Sequence, residues 1–499
     1  MRSTPLLTKW ALLLANLPAA LSDIVPVETI AALSELYFAK VHPLLPILNE
    51  GDYRQSFILG TLPAALAHAV CLLAAKDASA EPHLKLLQAG GTLVSTRQFC
   101  SRLHTSIVTS LVTQVSLRRL TTIRIMALLS LHHEGCDGAE QASGYIAQAI
   151  HGAQSLALHL RVPNDDGFEM RRAFWCLYVL DRLNAAMHSR PCVMCDHDIA
   201  TEPVTAQQSG FPAFDILFKI VKILNKVIAL YRPTHPDSVT GIGDEFPSFS
   251  HILDEGNGWD LAPSIISTLQ IFYFATAILG HRLKTITALP TSTPARMRQQ
   301  LSAIQVIRHM RDPEQLQALH PFPIVVYAAS LAVSVSYQQL RYSRLSTDQE
   351  QAKHDFNAAC QVLQVLRQKW ESADVMATLS HRISAELNKV PSLGLLRVSK
   401  QDGNGVGRQS VEGHDLVMAG QRQEQQQQQP VYGVFSTLDH SQRHTNTSSL
   451  QLEPATEEGG INTLSYTWDI ETSQIFDGMD DMAWMYLDLL PTVRDDDLQ

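Results

Sequence analysis

SGYIAQAIHGAQSLALHLRVPNDDGFEMRRAFWCLYVLDRLNAAMHSRPCVMCDHDIATEPV, residues 143–204, decides the fold. The stretch reads as two amphipathic helices, a connector and an exit stopped by proline. In the first helix Ile146, Ala149, Ile150, Ala153, Leu156, Ala157 and Leu160 recur at three- and four-residue steps and share one face. Several of them are small, so a neighbouring helix is expected to approach closely. In the second, Asp166 is placed to cap the N-terminus, with Glu169 as its capping-box partner. Phe174, Leu177, Tyr178 and Asp181 then fall on one stripe. A carboxylate on an apolar stripe is costly to bury unless a partner meets it. Arg190, held extended by Pro191, is the first candidate, and Arg171 or Arg172 the second.

The order Arg171-Arg172-Ala173-Phe174-Trp175, Leu177-Tyr178-Val179-Leu180-Asp181-Arg182, Arg190-Pro191 and Asp196-His197-Asp198-Ile199 resembles the fungal-specific transcription factor domain, the middle homology region of fungal zinc-cluster regulators. Two departures from that family's pattern are mild: Ser189 stands where glycine is usual, and Ser155-Leu156-Ala157-Leu158-His159 replaces Leu-Gly-Leu-His. A second resemblance lies upstream, where Tyr37-Phe38-Ala39-Lys40-Val41-His42-Pro43 precedes Leu45-Pro46-Ile47-Leu48. A third is looser: Phe272-Tyr273-Phe274 and His281-Arg282 stand where a Tyr-His pair is more usual, with Phe274 in place of the histidine. The resemblance therefore runs from about residue 30 to about 390. It implies an all-α regulatory domain in a nuclear protein. It also implies a small-molecule inducer, pairing with itself or with a DNA-bound regulator, and control of catabolic or secondary-metabolite genes.

The residues themselves point the same way on fold class. Helical periodicity fills 28–42, 62–76, 82–115, 119–132, 212–231, 294–310, 323–342 and 349–388, and a stripe from Ile265 to Leu283 marks another helix. Strand-like alternation is nearly absent. Pro233 to Trp259 reads as a loop. The apolar part of 324–338 is interrupted by serines, which favours a buried helix over a membrane span. The expected organisation is an apolar N-terminal segment, 1–27, and an all-α body, 28–390, followed by a disordered Gln/Gly/Ser-rich linker, 391–460, and an acidic-hydrophobic tail, 461–499.

Charge is unevenly spread over the 499 residues. The formal net charge is -10, yet residues 451–499 hold twelve carboxylates against Arg494 alone, or -11, leaving the rest near +1. A near-neutral body has no large surplus of cations for nucleic-acid phosphates. The seven cysteines are odd in number and scattered, and Cys71 and Cys176 sit inside apolar helical patterns, which suits a reducing compartment. Neither His132-His133-Glu134-Gly135-Cys136-Asp137 nor Cys192-Val193-Met194-Cys195 with His197 has the ligand spacing of a structural zinc site. No cofactor or metal is expected in this chain.

Residues 396–460, with five consecutive glutamines at 425–429, carry too little apolar surface to offset the entropy of ordering. The tail is different. Residues 475–490, IFDGMDDMAWMYLDLL, interleave acids with bulky apolar side chains. Phe476, Trp484, Leu487 and Leu490 would anchor a short helix in a coactivator groove, and the aspartates would steer it to a basic surface. The competing reading is a last helix docked on the protein's own body.

Regulators with the resembled domain normally carry six closely spaced cysteines around two zinc ions ahead of it, and here no cysteine precedes Cys71. Zinc and direct DNA reading are thus expected only if an upstream exon supplies the cluster. Otherwise the chain acts on DNA through a partner. Catalysis has no motif in its favour: no glycine-rich phosphate loop, nucleophile elbow or paired metal motif occurs. The rival class is a non-nuclear all-α ligand-binding protein or enzyme, with an N-terminal secretory signal as one version of it. Arg2 and Lys9 followed by the apolar run Trp10–Ala20 resemble a secretory signal, although Asn16 and Pro18 make it too short to span a bilayer.

Overall fold

A computed structural model describes residues 23–113, 117–132, 138–161, 168–203, 210–231, 246–282, 293–343 and 345–389. The N-terminal apolar run, the linker, the tail, Asp166 and His133–Asp137 lie outside the described residues. Within them the protein is all-α, with no strand and a single isolated bridge between Lys85 and Leu93.

The first helices are α1 (Val27–Lys40), α2 (Glu50–Ile58), α3 (Ala64–Ala74), α4 (Thr96–Thr113) and α5 (Arg119–Leu129). They are followed by α6 (Gly138–Ser155), α7 (Phe168–Met187) and α8 (Pro212–Leu230). Next come α9 (Phe249–Glu255), α10 (Pro263–Gly280), α11 (Pro294–Arg311) and α12 (Pro313–Ala318), then α13 (Pro323–Tyr342), α14 (Ser346–Leu366) and α15 (Asp374–Lys389). Prolines open α8, α10, α11, α12 and α13. The missing N–H of proline is no loss in a first turn, and its fixed φ suits the helix. Side-chain caps set other starts: Asn49 accepts from Asp52 N at 3.2 Å, and Ser248 from His251 N at 3.2 Å.

Helices pack chiefly on sequence neighbours, α3 on α4, α5 on α6, α10 on α11 and α13 on α14. Non-neighbours also pack, α1 on α3 and α11 on α13 among them, and α7 meets α5, α6, α8 and α13 and is buried without interruption from Ala173 to Ala185. On α6 the small face does what small residues allow: a Cβ built on Gly152 would lie 2.8 Å from Ile123 Cγ1 of α5. One hydrophobic cluster extends from Val25 to Ile383. α10 is long and apolar enough to cross a membrane, and half of it is buried as it packs on α8, α11 and α13. In α13 the interrupting serines are inside too. Ser330 Oγ donates to Val326 O at 3.0 Å, so its hydroxyl is satisfied within the helix.

The structure corrects several boundaries. The helix expected from 82 to 115 starts only at Thr96; before it lie 3-10 turns and Gly90-Gly91, both at positive φ, which no α-helix accommodates. α6 stops at Ser155 rather than running to Leu160, because Ala157 turns left-handed (φ 57°) and the exit segment pins the turn: Ala200 N and Thr201 N both donate to His159 O. The helix expected over 349–388 breaks at Leu366, where Lys369 N and Trp370 N fold back onto Leu366 O. The loop expected over 233–259 contains α9.

Candidate functional site

Tyr178, Asp181, Arg182 and Asp196 of the motif converge where α7 meets the exit loop 192–199 and α8. Arg182 is at the centre, 1 % exposed. Its Nη1 donates to Asp181, its Nη2 to Asp196 Oδ1 at 2.6 Å, and its Nε to Asn225 Oδ1 at 2.8 Å. The guanidinium lies over the Tyr178 ring, 4.1 Å from the centroid. Asn225 Nδ2 closes the ring of bonds by donating to Asp196 Oδ2 at 2.9 Å. Asp181, also 1 % exposed, accepts from Val193 N at 2.9 Å and Met194 N at 3.0 Å.

This overturns the expected pairing. Arg190 does not meet Asp181; it pairs with Glu140 of α6, while its own N–H donates to Ala185 O. Arg172 reaches back to the carbonyls of Pro46 (3.0 Å) and Leu48 (3.5 Å) and lies over Phe211. Arg171 stacks on Phe168. The carboxylate takes the adjacent Arg182 because Asp181 also caps the backbone of the exit loop, where Arg182 bridges to Asp196. Glu169 pairs with Arg124 and accepts from Asn49 Nδ2 at 3.1 Å; its expected capping of Asp166 falls on a residue outside the described ones.

Electrostatics follow burial and partners. Burial disfavours the charge on Arg182, but Cys192, Tyr178, Asp181 and Asp196 outweigh it and lift its pKa above the ordinary value. Burial raises the Asp181 carboxyl against the pull of the Val193 and Met194 N–H groups and Arg182. At Asp196 burial opposes ionisation, yet Arg182, Tyr178, Asn225 and Lys222 hold the carboxyl below its usual range. Burial pushes the Tyr178 phenol up to about 12. A guanidinium engaged at Nε, Nη1 and Nη2 and closed off from water acts as a cross-link between three segments.

The remaining motif residues surround that cross-link. Phe174 is fully buried, and Trp175 Nε1 donates to Glu202 O at 3.0 Å while its ring meets Tyr178 and Phe218 at 5.2 and 5.3 Å. Lys222 Nζ sits 4.9 Å from the Tyr178 centroid. Pro191 is exposed at the start of the exit loop. Ser189, which stands where the resembled family has glycine, has φ 49°. Only glycine enters that region without strain, so the family preference has a backbone cause. Asn225 and Lys222 were not found by sequence reasoning; Lys222 is exposed and Asn225 half-buried, on a helix whose other polar positions include Lys219 and Lys226. Phe476, Trp484, Leu487 and Leu490 lie outside the described residues.

A second polar node ties the upstream landmark to α7. Arg124 of α5 pairs with Glu169 and donates through Nε to Ile47 O at 3.2 Å. Beside it His42 packs edge-on against Phe38 and Phe211, and burial lowers its pKa to about 3. Cys192 is half-buried and Cys195 exposed, and neither is in a disulfide. Among the described residues no group of three or more His, Cys, Asp or Glu side chains is placed to hold a metal ion.

Both landmarks and both nodes fall inside one match: the family model of the fungal specific transcription factor domain covers residues 35–270, a little under half of the 499-residue chain. Residues 35–270 are similar to the fungal specific transcription factor domain. No curated protein matches the chain. The match to the transcription factor domain ends inside α10, short of the third landmark at 272–282. The packing does not end there: Phe272 stacks edge-on with Phe322 at 5.8 Å, and α11 to α15 share the cluster begun by α1.

Proposed function

We propose that the chain is a nuclear transcription regulator whose helical body, residues 28–390, serves regulation and whose acidic-hydrophobic tail, 461–499, recruits coactivators. The observation that carries this reading is the transcription factor domain match over 35–270, in which buried Arg182 and Asp181 are cross-linked to the half-exposed Asp196. The body reaches promoters by pairing with a DNA-bound regulator or through a zinc cluster encoded ahead of these residues. Its targets are a metabolic or secondary-metabolite gene cluster. A structurally satisfied cross-link supports a scaffold for partner binding better than it supports catalysis. Chromatin immunoprecipitation of the tagged protein, read beside transcript levels in a deletion strain, tests the proposal. Enrichment at a limited set of promoters whose transcripts fall on deletion supports it. No enrichment above an untagged strain contradicts it, and recovery from culture medium cleaved after Ser22 would favour the secreted alternative.

A further inference from the structure

Three segments distant in sequence enclose a cavity of about 200 Å³: the turn after α3, the turn between α12 and α13, and the break between α14 and α15. It is smaller than the roughly 300–1,000 Å³ typical of drug-sized sites. Leu319, Val325 and Leu366 give it apolar walls, and Trp370 forms another. Lys76, only 3 % exposed, places its ammonium 4.1 Å from the Trp370 ring centroid. At the rim Lys369 pairs with Glu81 at 3.0 Å. His320 adds no charge: Lys40 O and Ser264 Oγ hold its two ring nitrogens, and burial lowers its pKa to about 4. The charged side chains lining the chamber are therefore Lys76, Lys369 and Glu81, beside polar Gln317 and Gln368 and the apolar walls named above.

The local chain conformation serves this chamber. Nothing in Arg367 to Ala373 is a glycine or proline, yet the helix breaks there and Trp370 turns inward to 3 % exposure. A cation beside unfilled apolar space is the arrangement that an anion with an apolar body would complete. We infer that this cavity binds a small monocarboxylate with a compact apolar or aromatic body, the carboxylate on Lys76 and the body against Trp370. Because Lys76 lies within the family-matched residues and Trp370 beyond them, the ligand would clamp the two parts of the body together. The inference rests on the regulatory reading only for what such clamping controls; binding itself is measured without it.

Titration of the purified full chain with benzoate, followed by tryptophan fluorescence and calorimetry, tests the assignment. Benzoate is expected to bind saturably and change Trp370 emission, while benzylammonium, of similar shape and opposite charge, does not bind. Lys76→Met should weaken benzoate about 10- to 100-fold, the loss of one charge-assisted contact, and Lys76→Arg should retain most of it. Trp370→Phe should abolish the emission change and leave calorimetric binding. Absence of saturable benzoate binding would overturn the inference, as would equal binding of benzylammonium or undiminished binding by Lys76→Met. If Lys76→Met does not fold, the comparison of benzoate with benzylammonium decides alone. Loss of binding with intact promoter occupancy would remove the cavity assignment and leave the regulatory reading standing.

Discussion

Replacing Asp181 with alanine should be among the most damaging single changes in the body. The side chain is 1 % exposed and accepts from Val193 N, Met194 N and the Arg182 guanidinium. Its loss leaves two backbone donors short of an acceptor, at about 1–3 kcal/mol each when buried. It also leaves Arg182 with one fewer counter-charge, and breaking a buried pair costs about 3–5 kcal/mol. These costs overlap, and Asp196, 2.6 Å from Arg182 with a half-exposed side chain, keeps part of the charge compensated. The expected destabilisation is about 4 kcal/mol. Arg182→Met alone should cost a similar amount, since it strands Asp181. The double variant should then be less damaged than the sum by about 2 kcal/mol, the signature of directly coupled groups. Urea unfolding of the four proteins, followed by far-UV circular dichroism, gives the cycle. A cost below about 1 kcal/mol for Asp181→Ala, or strict additivity in the double variant, would refute the account of the cross-link.

Acid should weaken the body well above the carboxylate range. Burial lowers the pKa of His42 to about 3 and of His68 and His320 to about 4. Their folded pKa values lie below the unfolded value near 6.5, so the stability they contribute is complete above about pH 6.5 and is lost as pH falls toward 4. Each loses about 1.4 kcal/mol per pH unit in that window, and the urea midpoint should drop clearly between pH 7 and 5.5. An unchanged or higher midpoint at pH 5.5 contradicts this. At the α5–α6 contact, Gly152→Ala places a Cβ 2.8 Å from Ile123 Cγ1. Overpacking of about 1–3 kcal/mol should exceed the helix-propensity gain of about 1 kcal/mol. Adding Ile123→Ala should make Gly152→Ala neutral or favourable in thermal unfolding. If Gly152→Ala is as harmful in the Ile123→Ala background as it is with the isoleucine present, the close approach is not the cause.

Much of the fold was legible because its helices announce themselves. The periodic stripe of Ile146, Ala149, Ile150 and Ala153 is buried as expected, and prolines at 212, 263, 294 and 323 mark true starts. Breaks without punctuation were not legible. Arg367 to Ala373 contains no helix breaker, and the turn arises because Trp370 packs inward and Arg367 reaches Asp374 at 2.8 Å. Short α9 and α12 were missed because six or seven residues give too little period to detect, although Ser248 and Asp312 cap them. At the candidate site, Asp181 stood out as an ionised group on an apolar stripe. Its partner did not, because residues one apart on a helix ordinarily diverge. Arg182 donates directly to Asp181 while Asp196 of the exit loop and Asn225 hold its other nitrogens, contacts that depend on α8 returning beside α7.

The claim that this chain regulates transcription through its tail is tested most directly by tethering. Residues 461–499 fused to an unrelated DNA-binding domain should switch on a reporter, and Trp484→Ala with Leu487→Ala in the same fusion should return it to background. A silent fusion, expressed and nuclear, would contradict the activation claim, and so would a reporter equally active with both anchors removed.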